Sequence, residues 1–281
     1  MPDVRGTIEY LQDLELYETE KPYWCFLPPK KGFDPDKERV DNLEFEDHNV
    51  AISDIRGLEG DVSLENYGFQ VLSHDTEIPA FTAADAVEAY KRETEQLLME
   101  ALGATHVKCY DLRLRKNIVF QRTEFDLNNP LHTEGPARGA HNAPQVINRY
   151  LSQPEKDAFL RIGYRVRIVN TWRSLLPVLE DQPLALCDSR SVGETDLMAA
   201  DRLVPDRVGE VYYLKFNPKH QWYWLSTQKR SEPYAFVMFD TKAGTHARFC
   251  PHVSFKNPLA GAKVPPRESV ETRSVVITKE S

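Results

Sequence analysis

Alternating hydrophobic and polar positions dominate the second half of the chain. Runs of this kind, bounded by polar or Pro-containing segments, predict β-strands because successive side chains of a strand point to opposite faces. Such runs lie at 165–172, 184–187, 209–216, 222–226, 235–240 and 269–277, with further examples at 49–55, 69–73 and 105–121. The pattern therefore predicts a mainly β protein.

One segment has a helical period instead. Between residues 83 and 102 apolar side chains recur at steps of three and four, and Gly103 stands where such a helix should end. A helix that precedes a long series of strands predicts a sandwich or barrel with supporting helices. No shift in composition marks a domain boundary. We therefore expect a single domain over residues 1–281, on which the Pro- and charge-rich residues 1–48 pack as an extended arm.

Charge and cysteine content limit the partners and the compartment. The chain of 281 residues has a formal net charge of −8, which argues against nucleic acid because phosphate binding needs a surplus of Lys and Arg. Its basic run, Leu112 to Lys116, alternates charged and apolar residues and predicts an exposed strand. Scattered cysteines, with no signal-type leader and no long apolar run, favour a cytoplasmic protein without a membrane partner.

The common catalytic signatures are missing, since the chain has no P-loop, dinucleotide, nucleophile-elbow or zinc-protease motif. Seven separate segments form another pattern: GPARGAHNA at 135–143, IVNTWRSL at 168–175, PLALCDSRSV at 183–192, HQWYWLS at 220–226, FD at 239–240, PHVSF at 251–255 and PRESVETR at 266–273. In order and spacing they resemble the AsaB-like family of fungal hydroxylases and desaturases. That family is grouped with the cephalosporin methoxylation protein CmcJ and the endoperoxide synthase NvfI.

The resemblance implies a double-stranded β-helix, the cupin-like jelly roll of iron- and 2-oxoglutarate-dependent oxygenases. It places the two metal-binding histidines at His141 and His252. It places the arginine that pairs with 2-oxoglutarate at Arg267, in an Arg-x-Ser pair with Ser269, because a guanidinium matches a carboxylate in two parallel hydrogen bonds. Arg273 is a competitor for this role, since alternate residues of a strand share a face. Homodimers are common in the family, so a homodimer is a further expectation.

The residue two positions after His141 departs from the family pattern. Members hold Fe(II) with His-x-Asp and a distant His, whereas this chain has Ala143, whose methyl group cannot coordinate a metal. Four interpretations are open. In the first, the metal is lost and the pocket serves a reaction without redox change; in the second, chloride fills the position, as in iron halogenases. Alternatively the triplet His132-Thr133-Glu134 supplies a shifted ligand, or the chain is a non-catalytic partner subunit.

Loss of the metal favours a cofactor-independent enzyme that acts on small-molecule natural products. The hetero-Diels–Alderases of fungal tropolone-sesquiterpenoid biosynthesis are similar, and they join a tropolone quinone methide to a terpenoid alkene. Such a reaction needs an apolar cavity and well-aimed hydrogen-bond donors. We predict catalytic groups at His141, Arg173, His252 and Arg267. We predict substrate-binding side chains at Asn170, Trp172, Trp222, Trp224 and Arg273.

Structural roles and a different chemistry stay open beside this hypothesis. Core packing explains Trp222 and Trp224 as often as ligand binding does, and Arg173 alternatively secures a loop. The alternative function is an Fe(II)- and 2-oxoglutarate-dependent oxygenase, desaturase or halogenase, with the metal on His141 and His252. The cyclase hypothesis requires neither iron nor 2-oxoglutarate.

Overall fold

The computed structural model describes residues 3–27, 34, 38–118, 129–135, 139–142, 147–204, 207–244 and 249–280. In chain order the strands are β1 (Val4–Leu11), β2 (Tyr23–Cys25), β3 (Phe45–Asp54), β4 (Phe69–Val71), β5 (His106–Lys116), β6 (Thr133–Glu134), β7 (His141–Asn142), β8 (Tyr164–Ser174), β9 (Leu184–Cys187), β10 (Leu197–Val204), β11 (Arg207–Leu214), β12 (Trp222–Trp224), β13 (Tyr234–Asp240), β14 (His252–Ser254) and β15 (Glu268–Lys279). The helices are α1 (Ala84–Leu102), α2 (Ile147–Tyr150) and α3 (Gln153–Phe159). None of the helices in these ranges is long and apolar enough to cross a bilayer.

The strands of the described ranges form two facing sheets. One has the order β1-β3-β12-β9-β14-β7-β11-β10-β2, and the other has the order β4-β13-β8-β15-β5-β6. The nine-stranded sheet curls, because the N–H of Ala140, just before β7, donates to the carbonyl oxygen of Glu9 on the edge strand β1 at 3.1 Å. Sheet neighbours are mostly distant in sequence, so residues from separate segments meet at one place between the sheets.

Helix α1 packs on the outer face of the six-stranded sheet. Val87 and Tyr90 of the helix are buried against Leu112 and Leu114 of β5. The helix ends as the sequence predicts, at Gly103, whose backbone is left-handed with φ 57°. Glycine adopts this conformation without the steric cost that other residues have.

Strand β5 differs from the prediction of an exposed strand. Because Leu112 and Leu114 face α1, the alternate positions Asp111, Arg113 and Arg115 face the interior between the sheets. The side chains of Arg113 and Arg115 are only 19% and 13% exposed. The alternation of charged and apolar residues is real, but the charged face is covered by the second sheet and not by water.

The N-terminal region is also more integrated than the predicted arm over residues 1–48. Strand β1 pairs with β3 along its whole length, from Val4 opposite Ile52 to Leu11 opposite Phe45. Ile8 on the same strand is fully buried. Its alternating apolar residues make β1 part of the sheet, and the Pro- and charge-rich composition of the region as a whole hides this strand pattern.

The nine-stranded sheet has apolar side chains on both faces. On β9, Leu184 and Leu186 join the core between the two sheets, whereas Ala185 and Cys187 join a second core on the other face. This second core lies inside the curl of the sheet. A strand of this kind is apolar at every position, as expected for a strand buried on both sides.

Trp222 and Trp224 belong to the second core and not to the space between the sheets. Both are nearly fully buried, at 1% and 2% exposure. The indole N–H of Trp222 donates to the Tyr10 hydroxyl at 2.7 Å, and Trp224 packs edge-on against Phe255. The two rings share a face, as the Trp-x-Trp spacing predicts, but this is the face that β1 covers.

The Trp222→Phe variant should be less stable without losing activity per folded molecule. The change removes ring volume from a packed core and leaves the Tyr10 hydroxyl without its donor, which together cost about 2–4 kcal/mol. Denaturant unfolding measures the loss, and Trp172→Phe, at the cavity described below, is the matched variant that should lower turnover instead. If Trp222→Phe loses activity while its stability is unchanged, Trp222 contacts the substrate, as the sequence predicts, and the core role described here is wrong.

Candidate active site between the sheets

A small cavity lies between the two sheets, where β14 faces β8 and β15. Its lining residues are Arg115, Trp172, Leu184, His252, Val253, Ser254, Arg267 and Glu271. Three of the predicted site residues are therefore present: Trp172, His252 and Arg267. Polar and charged groups meet apolar ones here, as is usual for sites that bind and orient small molecules.

His252 on β14 is buried, with 3% exposure. Its Nδ1 lies 3.2 Å from the carbonyl oxygen of Cys250. Because a carbonyl oxygen only accepts, Nδ1–H is the donor, and the lone pair of the neutral ring is on Nε2. Burial lowers the pKa of His252 below its usual value, which favours the neutral ring at pH 7. Such a ring accepts a proton or binds a metal ion through Nε2.

His141 occupies the register position beside this histidine. Strands β7 and β14 are neighbours, and their backbones pair His141 directly with His252. The two predicted histidine positions, far apart in sequence, are thus adjacent in the sheet. The side chain of His141 and the whole of Ala143 lie outside the described residues, so the His-x-Ala departure is a statement about the sequence.

Arg267 lies just before β15 and is 2% exposed. Its backbone N–H donates to Asp181, but its side-chain Nε and Nη2 are buried and have no hydrogen-bond partner in the described part of the chain. The Ser269 hydroxyl, two residues later, is also buried and has no hydrogen-bond partner within the described ranges. Burial lowers the pKa of Arg267 to about 10. Buried donors without acceptors are costly, so this Arg-x-Ser pair is suited to an anionic group of a ligand.

Glu271 enters the same cavity from β15 and is held by two of the predicted substrate-binding residues. It accepts a hydrogen bond from Nδ2 of Asn170 at 2.8 Å, and its carboxylate is 3.5 Å from Nη2 of Arg273. Arg273 also binds Asp111, with 2.6 Å between Nη1 and the carboxylate. Asn170 and Arg273 therefore lie beside the cavity and fix the orientation of Glu271.

Arg173 does not reach the cavity, contrary to the prediction of a catalytic role. It pairs across β8 and β15 with Val270, which faces α1, so Arg173 points to the helix side of the sheet. Its guanidinium donates to the Tyr90 hydroxyl at 2.8 Å and to the carbonyl oxygens of His74 and Arg230 at 2.7 and 2.8 Å. Arg173 is a structural residue that ties the helix and two loops to the sheet.

The tryptophans divide in the same way. Trp172 precedes Arg173 on β8 and therefore has the opposite orientation, toward the cavity, where it lies across from Glu271. The structure places Trp222 and Trp224 in the second core instead. Arg115 also lines the cavity but is not among the site residues predicted from the sequence. Its alternation with Leu112 and Leu114 indicates that it lies on the opposite face of β5 from these leucines.

The shifted-ligand interpretation involves Glu134, which lies on β6 at the edge of the six-stranded sheet. Its carboxylate is 3.1 Å from Nη1 of Arg115 and 3.5 Å from Nη1 of Arg113. His252 lies in the other sheet. Two guanidinium groups thus engage the carboxylate that this interpretation assigns to the metal.

The donor chemistry of the cavity fits a carboxylate better than it fits Fe(II). Within the described part of the chain no group of three His, Cys, Asp or Glu side chains is arranged to hold a metal ion. His141 would add one ligand to His252, but Ala143 adds none, so the usual set of two histidines and a carboxylate is incomplete. Arg267 and Ser269, in contrast, present buried donors that a carboxylate of 2-oxoglutarate would satisfy.

The two facing sheets, with a histidine and a buried arginine at the cavity between them, match the arrangement that the family resemblance implies. The chain belongs to the oxidoreductase/YMDC permease-like domain family, whose model matches residues 8–277. It is 31% identical over 256 residues to the hydroxylase/desaturase efuI of Hormonema carpetanum, and this alignment covers 83% of this chain and 85% of the relative. It is 31% identical over 253 residues to the hydroxylase/desaturase CTB9 of Cercospora beticola, which covers 83% of this chain and 77% of the relative.

A solved structure has the same fold. The iron and alpha-ketoglutarate-dependent endoperoxidase NvfI matches with a TM-score of 0.80 at 23% identity, over 99% of both chains. The predicted double-stranded β-helix is therefore confirmed. The family resemblance is confirmed as well, since two of these relatives are fungal hydroxylase/desaturases and a third, 27% identical over 269 residues, is the Fe(II)/2-oxoglutarate-dependent dioxygenase nvfI of Aspergillus novofumigatus.

Proposed function

We propose that this chain is a natural-product biosynthetic enzyme that catalyses a cofactor-independent hetero-Diels–Alder cycloaddition between a tropolone quinone methide and a terpenoid alkene. The observation that supports it most is the presence of a neutral histidine, His252, and a buried cationic donor, Arg267, at one cavity. Ala143 supplies no third metal ligand. The groups that are left suit proton transfer and polarisation of an oxygen atom.

His252 and Arg267 have complementary roles in this reaction. Nε2 of His252 removes the proton of the ring hydroxyl of a hydroxymethyl tropolone. The carbinol C–O bond then breaks, and His252 returns the proton to the departing hydroxide, which leaves as water. The quinone methide that results is neutral. Arg267 donates to the ring oxygen where negative charge builds up. The cycloaddition then forms one C–C and one C–O bond of a dihydropyran ring. This step requires positioning of the two partners but no external oxidant.

An Fe(II)- and 2-oxoglutarate-dependent oxygenase, desaturase or halogenase is the second candidate, and two observations favour it. The donors of Arg267 and Ser269, which have no partner among the residues that the structure describes, fit a carboxylate of 2-oxoglutarate. The cavity is small, at about 20 Å³, well below the usual range for drug-sized ligands, so it is closer in size to a small dicarboxylic acid than to two natural-product fragments. His141 and His252 would then hold the iron, which supplies the oxidative chemistry when bound.

Metal dependence separates the two functions. Protein purified without chelators is analysed for iron and then assayed with a tropolone precursor and a humulene-type alkene, with and without excess EDTA. Full cyclisation in EDTA supports the proposal and removes the second candidate. Stoichiometric iron, together with conversion of 2-oxoglutarate to succinate and loss of activity in EDTA, would overturn the proposal.

The Ala143→Asp variant should bind Fe(II) more tightly than the wild type. An aspartate two positions after His141 restores the third ligand of the usual set, and because even outer partners of a metal site change affinity by about 10–100-fold, we expect at least a tenfold gain. Anaerobic titration calorimetry with Fe(II) measures it. Asn142→Asp, which adds the same charge one position earlier, is the control. Equal affinities for all three proteins would show that residue 143 is not beside His252.

A further inference from the structure

A ring of three hydrogen bonds holds the backbone of Arg267. Its N–H donates to the Asp181 carboxylate at 3.0 Å, and its carbonyl oxygen accepts from the N–H of Asn117 at 2.8 Å. Nδ2 of Asn117 donates to the same carboxylate oxygen at 2.6 Å and closes the ring. Asn117 directly follows β5, and Asp181 lies on the loop between β8 and β9. We call this arrangement of Asn117, Asp181 and Arg267 the Asp181 clamp.

The Asp181 clamp is also connected to the other sheet. The carbonyl oxygen of Asp181 accepts from the backbone N–H of Asn257 at 3.1 Å, and that of Glu180 accepts from Nδ2 of Asn257 at 2.8 Å. Asn257 is buried and lies three positions after β14, the strand that carries His252. Strands β5 and β15 belong to the six-stranded sheet, whereas β14 belongs to the nine-stranded sheet. The Asp181 clamp therefore joins the two sheets and fixes Arg267 relative to the strand of His252.

Asp181 stabilises the charge of Arg267 without occupying its guanidinium. Burial first, and then the charge of Arg115, lower the pKa of Arg267 to about 10, and Asp181 is the largest influence in the opposite direction. The carboxylate binds the backbone N–H, while the side-chain Nε and Nη2 of Arg267 are buried without a partner among the described residues. A carboxylate that paired with the guanidinium itself would use such donors. The Asp181 clamp thus leaves them available for a ligand.

We propose that Asp181 is a positioning residue, which holds Arg267 at the distance from His252 that lets one substrate contact both side chains. This inference rests on the proposed function in taking His252 and Arg267 to act on the same substrate. Groups that act together depend steeply on their relative placement, and a displacement of about 1 Å can cost about 100-fold in rate. Hydrogen bonds to the backbone suit this role because they fix Arg267 and leave its side chain to the substrate.

Two substitutions of Asp181 separate positioning from a general contribution to stability. Asp181→Ala removes the acceptor of two hydrogen bonds of the clamp and should lower kcat/KM per folded molecule about 10- to 100-fold. Asp181→Asn keeps an oxygen that accepts both bonds and should retain most of the wild-type kcat/KM. Asp61→Ala, which removes an exposed carboxylate elsewhere, should match the wild type.

A double-mutant cycle shows whether Asp181 acts through Arg267. Residues that act through one another have non-additive effects, so Asp181→Ala should lower kcat/KM hardly further in the Arg267→Met background. The proposal is overturned if Asp181→Ala lowers kcat/KM by the same factor in both backgrounds, or if Asp181→Ala alone leaves it unchanged. Should Asp181→Ala not fold, Asn117→Ala replaces it in the cycle, because this variant removes only the side-chain donor of the clamp.

An NMR measurement makes the test independent of the cyclisation assay. The Nε–H signal of Arg267, assigned by its loss in Arg267→Met, should shift or broaden in Asp181→Ala and stay sharp in Asp181→Asn. An unchanged signal in Asp181→Ala would show that Asp181 does not hold Arg267, even if the enzyme catalyses the cycloaddition. Failure of cyclisation in EDTA would instead overturn the proposed function and leave the NMR result unaffected.

Discussion

The Arg267→Met variant should lose turnover by a factor of about 100 or more, the usual effect of removing one donor to a developing oxyanion. It should nevertheless fold at least as stably as the wild type. Among the described residues, the side-chain Nε and Nη2 of Arg267 have no hydrogen-bond partner, so the substitution breaks no hydrogen bond of the described structure at these atoms. Methionine also removes a buried charge and keeps most of the apolar stem.

Turnover of the tropolone precursor and thermal unfolding together measure this expectation. Arg92→Met removes a guanidinium from the exposed side of α1 and should match the wild type in both assays. A variant at position 267 that unfolds at a clearly lower temperature yet retains full turnover per folded molecule would show that Arg267 stabilises the fold and does not contact the reacting groups.

The Arg173→Met variant should show the opposite behaviour. Arg173 is 1% exposed and donates to Tyr90 and to the carbonyl oxygens of His74 and Arg230. Its removal leaves buried acceptors unsatisfied on a helix and two loops, for which we expect a loss of about 3–5 kcal/mol in the free energy of unfolding. Activity per folded molecule should be retained, because the guanidinium lies on the far side of the sheet from the cavity.

Denaturant unfolding gives the stability change, and Tyr90→Phe is the matched control. That variant removes one of the Arg173 interactions and should cost about 1 kcal/mol. If Arg173→Met is as stable as the wild type but inactive, then the arginine acts at the cavity and the structural role described above is incorrect.

Much of the fold follows from local sequence patterns. The strand runs of the second half and the single amphipathic segment ending at Gly103 predict a β-rich scaffold with a helix on one side. The spaced segments that carry His141, His252 and Arg267 point to the jelly-roll family. These features depend on periodicity and on residue types that are rare at fixed spacing, both of which are visible in one chain.

The faces of the strands could not be predicted in the same way. The alternation of charged and apolar residues on β5 predicts an exposed strand, but the second sheet covers its arginines. Trp222 and Trp224 share a face, as their spacing requires, and yet the curl of the sheet gives that face its own core. Arg173 follows Trp172 directly on β8, and because successive side chains of a strand point to opposite faces, Trp172 faces the cavity while Arg173 faces the helix.

The sequence by itself determined the β-rich architecture, the family and the absence of a carboxylate after His141. The tertiary structure alone decided that His141 and His252 are paired neighbours and that, within the described residues, Arg267 has buried donors without a partner. The physical reason is that period-two alternation distinguishes the two sides of a strand but does not say what covers either side. Only the pairing of distant strands supplies that cover.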